Sequence, residues 1–295
     1  MRLFVTGVSS FVGRELEARA AAAGIEVSGV DLAPPEGSRH ARLDVNDPSL
    51  ADAIPDGVDA VVHLAALSRD PDCRGKSYEC FNANVMGTLA VERAARARKA
   101  KRIVFASSEW VYEGLPAGAP RSANTAIDAA RIGGEYALSK FVSECNLRQI
   151  AAQGGTPATV LRLGIVYGPR LTNWSAVESL LDKVVRGEAI SIGSRATARR
   201  FVHVADVADA FLAAAPRTGA FETLDVQGPA LVTLGEVVAC GAALVGRPAT
   251  LTETDPGNPS VRAVDDSASR AAFGWAPRVD IQAGSRSVAE FWGML

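Results

Sequence analysis

Short, almost unbroken apolar runs alternate with longer Ala-rich segments, in which apolar residues recur every three or four positions, through the first half of the chain. Arg2–Thr6 (RLFVT) reads as a buried strand, and the runs at 26–30, 40–45, 58–64 (VDAVVHL), 102–106 (RIVFA) and Ala158–Leu163 continue the series. Segment 11–23 has helical spacing and ends at Gly24, a residue that readily takes the left-handed position after a helix. Asp47 and Pro48 cap and open a short helix, and 76–98 is predicted as one long helix. Strands alternating with helices predict right-handed β-α-β units around a parallel sheet. Strands apolar on both sides fit that sheet, because a central parallel strand is buried on both faces. The predicted class is α/β with a doubly wound parallel sheet.

Beyond about residue 165 the pattern loosens. Gly168-Pro169 marks a turn, 175–186 has helical spacing, and 201–204 is a short extended piece leading into a helix at 206–215. Thr233 and Glu236 form a capping box for a helix reaching Val245, and the last sixty residues hold short strands and two helices. The chain therefore divides into a domain at 1–165, to which about 200–230 returns, and a smaller C-terminal α/β substrate domain over 166–295.

The 295 residues permit a large core, and 31 basic against 33 acidic side chains give a net charge of −2. That balance argues against nucleic acid or a membrane surface as partner. Cys73, Cys80, Cys145 and Cys240 are scattered, make no C-x-x-C pair and have no His at ligand spacing, so they read as reduced thiols and no metal site is expected. No apolar run approaches the roughly 20 residues a membrane helix needs, and the first residues enter a strand directly. A cytoplasmic location is expected.

The first strand runs into Thr6-Gly7-Val8-Ser9-Ser10-Phe11-Val12-Gly13, which opens the first helix. Strand, glycine turn and helix N-terminus in that order make a Rossmann-type pyrophosphate cradle. Gly7 permits the turn and Gly13 lets the helix approach the sheet, while Ser10 stands where the middle glycine is usual and brings a hydroxyl within reach of a phosphate. Asp31 follows Gly13 by eighteen residues, at the end of the second strand. A carboxylate there accepts from adenosine ribose hydroxyls and repels a 2′-phosphate, which selects NAD over NADP. The alternative reading of Asp31 is a turn residue before Pro34-Pro35.

Tyr136 and Lys140 in Gly-Glu-Tyr-Ala-Leu-Ser-Lys lie four apart, on one helix face, downstream of Ser107-Ser108. An ammonium beside a phenol favours the phenolate and lowers the tyrosine pKa from about 10. Such a tyrosine takes a proton from a sugar hydroxyl while a nicotinamide takes hydride from the carbon. Alone, such a pair is more often a solvated helix face.

Together these residues resemble the extended short-chain dehydrogenase/reductases, specifically the NAD-dependent epimerase/dehydratase family and its nucleotide-sugar 4-epimerases. The resemblance extends to Asp44-Val45 as an adenine-contacting pair with Leu32, to His63-Leu64-Ala65-Ala66 at a strand end beside the cofactor, and to Asn84-Val85-Met86-Gly87-Thr88. It includes Ser107-Ser108-Glu109-Trp110-Val111-Tyr112, the segment from Leu161-Arg162-Leu163 through Val166-Tyr167-Gly168-Pro169-Arg170, Arg199-Arg200-Phe201-Val202-His203-Val204 with Asp206, and Phe273-Gly274-Trp275 with Pro277. It implies Tyr136 as acid/base, Lys140 on the nicotinamide ribose, and Ser108 on the substrate hydroxyl. Phe11, Val12, Ser107, Leu163 and Val166 are implied around the cofactor, Glu109 and Arg199 toward the substrate, and a homodimer through the helices near 76–98 and 134–153. Asn84 and Asp206 read at least as well as structural residues, and His63 and His203 as satisfied core histidines.

Three departures bear on chemistry. Trp110 stands where the family's dehydratases carry an acid, and Glu109 one residue earlier would face the other way on an extended segment, which lowers dehydration. Ile165 replaces the Asn of L-R-x-x-N-V-Y-G-P, and Asp255-Pro256-Gly257-Asn258 replaces R-P-G-D, so two of three diphosphate anchors are missing. The expected activity is nucleotide-sugar epimerisation with tightly held NAD. NAD-dependent oxidation of a free sugar or sugar acid is the alternative, and a non-catalytic NAD-binding protein the third reading.

Overall fold

The computed structural model describes residues 1–116 and 118–295. In chain order its elements are β1 (Arg2–Thr6), α1 (Phe11–Ala22), β2 (Glu26–Asp31), β3 (Ala41–Arg42), α2 (Leu50–Ala53), β4 (Ala60–His63), α3 (Asp70–Cys73), α4 (Ser77–Phe81), α5 (Gly87–Ala97), β5 (Ile103–Ser108), α6 (Glu135–Ala152) and β6 (Ala158–Leu163). They continue with β7 (Val166–Tyr167), α7 (Ala176–Arg186), β8 (Ile190–Ile192), β9 (Ala198–Arg199), β10 (Val202–His203), α8 (Val204–Ala214), β11 (Phe221–Val226), β12 (Val232–Thr233), α9 (Leu234–Val245), β13 (Leu251–Glu253), α10 (Ser267–Phe273) and α11 (Ile281–Phe291).

Seven strands form one parallel sheet in the order β11-β6-β5-β4-β1-β2-β3. The chain moves outward in one direction from β1 to β3, then returns to the other side of β1 with β4. The C-terminal ends of β1 and β4 are therefore a topological switch point, where a doubly wound sheet leaves a crevice. The strands are apolar because both faces are covered: β5 and β6 are buried at every residue. Phe4, Val61, Ile103, Phe105 and Val160 pack with Val91 of α5 and Leu147 of α6. Each such side chain contributes about 1.5–3 kcal/mol by leaving water.

Two compact units divide the chain: Met1–Leu163 with Ala208–Asp225 and Asp266–Trp275, and Gly164–Val207 with Val226–Asp265 and Ala276–Leu295. The return of 266–275 to the first unit has no counterpart in the sequence reading, which gave those residues to the second. The second unit has its own core, in which Tyr167, Leu180, Leu181, Ile190, Phe201, Val237 and Val288 are buried. Its helix α9 starts at the foreseen capping box, with Thr233 accepting from the Glu236 amide at 3.1 Å.

Two local expectations change. The strand at 40–45 shrinks to Ala41–Arg42, because Asp44 turns the chain by accepting from the Asn46 amide at 2.8 Å. The long helix at 76–98 is interrupted by a π-helical turn, Asn82–Met86, between α4 and α5. Such widened turns recur at functional sites, and this one carries the buried Asn84.

Candidate active site

The glycine turn is built as the spacing requires. Gly7 has φ 73° and donates to the Val30 carbonyl at 2.8 Å. A Cβ on Gly7 would lie 2.8 Å from the Ala65 amide nitrogen, so the turn closes directly onto the end of β4. A Cβ on Gly13 would lie 2.4 Å from the Val8 carbonyl oxygen and 2.6 Å from that of Gly7. Ser10 is the N-cap of α1, its hydroxyl accepting from the Gly13 amide at 3.1 Å, which leaves its own proton to donate. Phe11 and Val12 form the first turn of α1, whose positive end faces the crevice.

Asp31 is more than a turn residue. Its two carboxylate oxygens accept from the Ser9 amide and the Ala33 amide, each at 3.0 Å, and each keeps acceptor capacity for a ribose hydroxyl. The buried Ser9 hydroxyl oxygen has no partner in the protein, and a buried hydroxyl in that state is costly. A turn no side chain can fill, an orphaned hydroxyl and a poised carboxylate fit a dinucleotide. Leu32 beside Asp31 is exposed, and Leu64, Ala65 and Ala66 are half-buried at the end of β4.

Several expected cofactor residues prove to be engaged by the protein. Val45 is in the core, against Gly87. Asn84 is 2% exposed; its carbonyl accepts from the Leu67 amide at 2.8 Å, and its amide donates to the Leu67 carbonyl at 3.1 Å and the Ser139 hydroxyl at 2.9 Å. It ties the strand-end loop to α6. The Ser107 hydroxyl donates to the Glu144 carboxylate. Leu163 ends β6 in the first unit, whereas Val166 begins β7 in the second. His63 is a satisfied core histidine, with Nδ1 2.7 Å from Thr6 Oγ1 and Nε2 3.1 Å from Thr88 Oγ1, and burial drives its pKa down to about 3.

Ser108, Tyr136 and Lys140 do converge, at 6%, 8% and 3% exposure. The Ser108 hydroxyl lies close enough to the Tyr136 phenol to favour its ionised form, and the Lys140 nitrogen sits 5.9 Å from the Tyr136 ring centroid. The expected lowering of the tyrosine pKa is not what this structure shows. Burial pushes Tyr136 up to about 12 against the opposing influence of the Ser108 hydroxyl, and burial pulls Lys140 down to about 8. The ammonium donates to the Ala106 carbonyl at 2.8 Å, so that donor is not spent on the phenol.

Glu109 departs from its expected place. The chain turns after Ser108 into a 3₁₀ helix, Glu109–Tyr112, so strand alternation does not apply, and Glu109 is wholly buried instead of presented to a substrate. Trp110 and Leu67 pack against a cluster of Tyr136, Cys73 and Cys80, forming an apolar wall at the phenol that sequence reading missed. No spacing rule marks the two cysteines, though Trp110 two residues after Ser108 was a usable signal. In the second unit, the Arg199 guanidinium donates to the Ser260 carbonyl at 2.7 Å and the Ser260 hydroxyl at 3.0 Å.

Known proteins match this chain in sequence and fold. The sequence model described as the NAD dependent epimerase/dehydratase family matches residues 3–226, and the chain belongs to that family. It is an NAD-dependent enzyme with the family's Rossmann-like fold. A dTDP-4-dehydro-6-deoxy-D-allose reductase of a Streptomyces species is 28% identical, over 87% of this chain and 85% of the relative. A UDP-glucose 4-epimerase of Mycolicibacterium smegmatis is 26% identical over 99% and 98%. The crystal structure of the UDP-glucose 4-epimerase of Thermus thermophilus in complex with NAD superposes with a TM-score of 0.85 at 25% identity, covering all of both chains.

Proposed function

We propose that the enzyme epimerises a nucleoside-diphosphate sugar by transient oxidation, with Tyr136 as acid/base. The observation that carries this is the convergence of buried Ser108, at the end of β5, with Tyr136 and with Lys140 one turn further along α6. Gly7, Ser10, Gly13 and Asp31 would hold the dinucleotide, and Lys140 its nicotinamide ribose. Bound there, NAD would supply reversible hydride acceptance at the carbon that bears the reacting hydroxyl. Ser108 holds the reacting hydroxyl, and Tyr136 removes its proton and gives it back from a phenolate form that a neighbouring cation favours and burial opposes. The Trp110–Leu67 wall keeps water from the phenol.

A net reductase or dehydrogenase is the second reading. It is favoured by the reductase among the relatives and by Ile165 and Asp255 at positions where diphosphate anchors are usual. The two readings separate in one assay: the holoenzyme with UDP-glucose forms the 4-epimer without NADH, or an unphosphorylated sugar yields steady NADH. A thermal-shift panel of nucleotide and free sugars with NAD identifies the ligand, since 100-fold saturation stabilises by about 2.7 kcal/mol. We also place the enzyme in the cytoplasm as a homodimer through α4, α5 and α6. Exposed Tyr78 and Met86 near those helices support the pairing, and analytical ultracentrifugation tests it. No helix among the described residues is long and apolar enough to cross a membrane.

A further inference from the structure

Glu144 takes no part in the chemistry above, yet it lies buried one turn beyond Lys140. Tyr136, Lys140 and Glu144 are each four residues apart, so they form one stripe along α6. Each of them meets one of the last three residues of β5. Glu144 accepts from the Ser107 hydroxyl, Lys140 donates to the Ala106 carbonyl, and the Tyr136 phenol lies beside the Ser108 hydroxyl.

Glu144 is itself held from the sheet. Arg162 is the β6 residue paired with Ser107, and it donates to both Glu144 oxygens, at 2.7 Å from one terminal nitrogen and at 3.1 and 3.2 Å from Nε. The other terminal nitrogen of Arg162 donates to the Tyr112 hydroxyl at 2.9 Å, which donates to Asp225 at 2.8 Å. Both members of the Glu144–Arg162 pair are about 5% exposed or less. A buried ion pair is rarely needed for stability, because apolar residues of similar volume often serve as well or better. What apolar residues cannot supply is charge at a fixed place.

We propose that Glu144, clamped by Arg162, is a positioning residue for the reaction: it locks the height of α6 against the end of β5 and places a negative charge one turn below the Lys140 ammonium. The groups facing Lys140 are Tyr136 and Glu144 on its own helix, Cys73 on α3, Cys80 on α4, His63 on β4, and the Phe105 ring of β5 at 4.9 Å. Of these, Glu144 is the carboxylate, and it opposes the burial that strips Lys140 of its proton. The proposal rests on Tyr136 and Lys140 being the reacting pair, but its test reads Lys140 directly and stands whether or not any sugar is turned over.

The chain has five lysines, so ε-carbon-13 labelling gives a spectrum in which Lys140 is assigned by its loss in Lys140→Arg. In the full-length protein Lys140 titrates with a midpoint near 8. Glu144→Gln moves that midpoint down by about half a unit or more, a threefold or larger change in the acid constant. Glu144→Asp keeps the charge and restores the midpoint toward wild type. If Glu144→Gln does not fold, Glu144→Gln with Arg162→Met removes both buried charges and still lowers the midpoint, by less than Glu144→Gln alone because the Arg162 cation leaves with the carboxylate. An unmoved midpoint in a folded Glu144→Gln or double variant, or an aspartate variant no better than glutamine, overturns the proposal.

Discussion

The turn between β1 and α1 and the stripe along α6 serve one crevice end of one sheet, yet they are made of different materials. The turn works by absence. Gly7 and Gly13 leave room where a Cβ would strike backbone atoms at 2.8 Å and 2.4 Å, and amides of a helix end do the binding. The α6 stripe works by presence. A phenol, an ammonium and a carboxylate are buried together against one strand end, at a standing cost in desolvation. The first kind of site is specified by a few residues close in sequence. The second needs partners from β5, β6 and the π-helical turn.

The largest effect expected falls on the stripe. Tyr136→Phe keeps the ring and loses the acid/base, and kcat falls about 10³-fold, within the range for general acid–base catalysis. NAD binding, followed by fluorescence or calorimetry, changes little, which separates chemistry from cradle. A variant with full turnover would break the division.

Next comes the turn. Gly13→Ala puts a methyl against the Val8 and Gly7 carbonyls, and the helix end must shift. NAD binding weakens about 100-fold, or roughly 3 kcal/mol. Calorimetry measures it, and unchanged affinity would show that the turn is not the cradle.

A smaller effect runs the opposite way. Burial depresses Lys140 to about 8, below the 10.5 of an exposed lysine, so its charge destabilises the fold wherever it is protonated in the native state. Lys140→Met is therefore expected to stabilise the protein by about 1–3 kcal/mol near neutral pH while abolishing turnover. The sign follows from proton uptake: between pH 8 and 10.5 the unfolded chain binds more protons than the native one, and wild-type stability rises with pH. The gain of the variant is full below pH 8 and disappears as pH climbs toward 10.5. Denaturant melts across that range check it. The Gly13→Ala change has no such pH dependence, because nothing at the turn titrates in that window.

The contrast also explains what could be read without coordinates. Gly7, Ser10, Gly13 and Asp31 carry their meaning in local spacing, and the apolar strands announce a sheet buried on both faces. Tyr136 and Lys140 were legible as a pair because a helix brings fourth neighbours together. Glu144 continues that spacing, but its role depends on Arg162 and Ser107, which become neighbours only through the β5–β6 register. Asn84 read at least as well as a structural residue as a ligand contact, and the Leu67 loop and Ser139 that use its amide come together only in the fold. Glu109 followed strand alternation on paper, and the chain had already left the strand. The tuning of Tyr136 was misjudged for a related reason: four-residue spacing shows that two groups are close, not how far both are removed from water.

Hydride shuttling at this crevice is tested most directly with UDP-glucose carrying deuterium at carbon 4, incubated with the NAD-loaded enzyme. The 4-epimer should form with the label kept on carbon 4, no NADH released, and neither result obtained with Tyr136→Phe. Epimer formed with label lost to solvent, or steady NADH in its place, would contradict the proposed reaction.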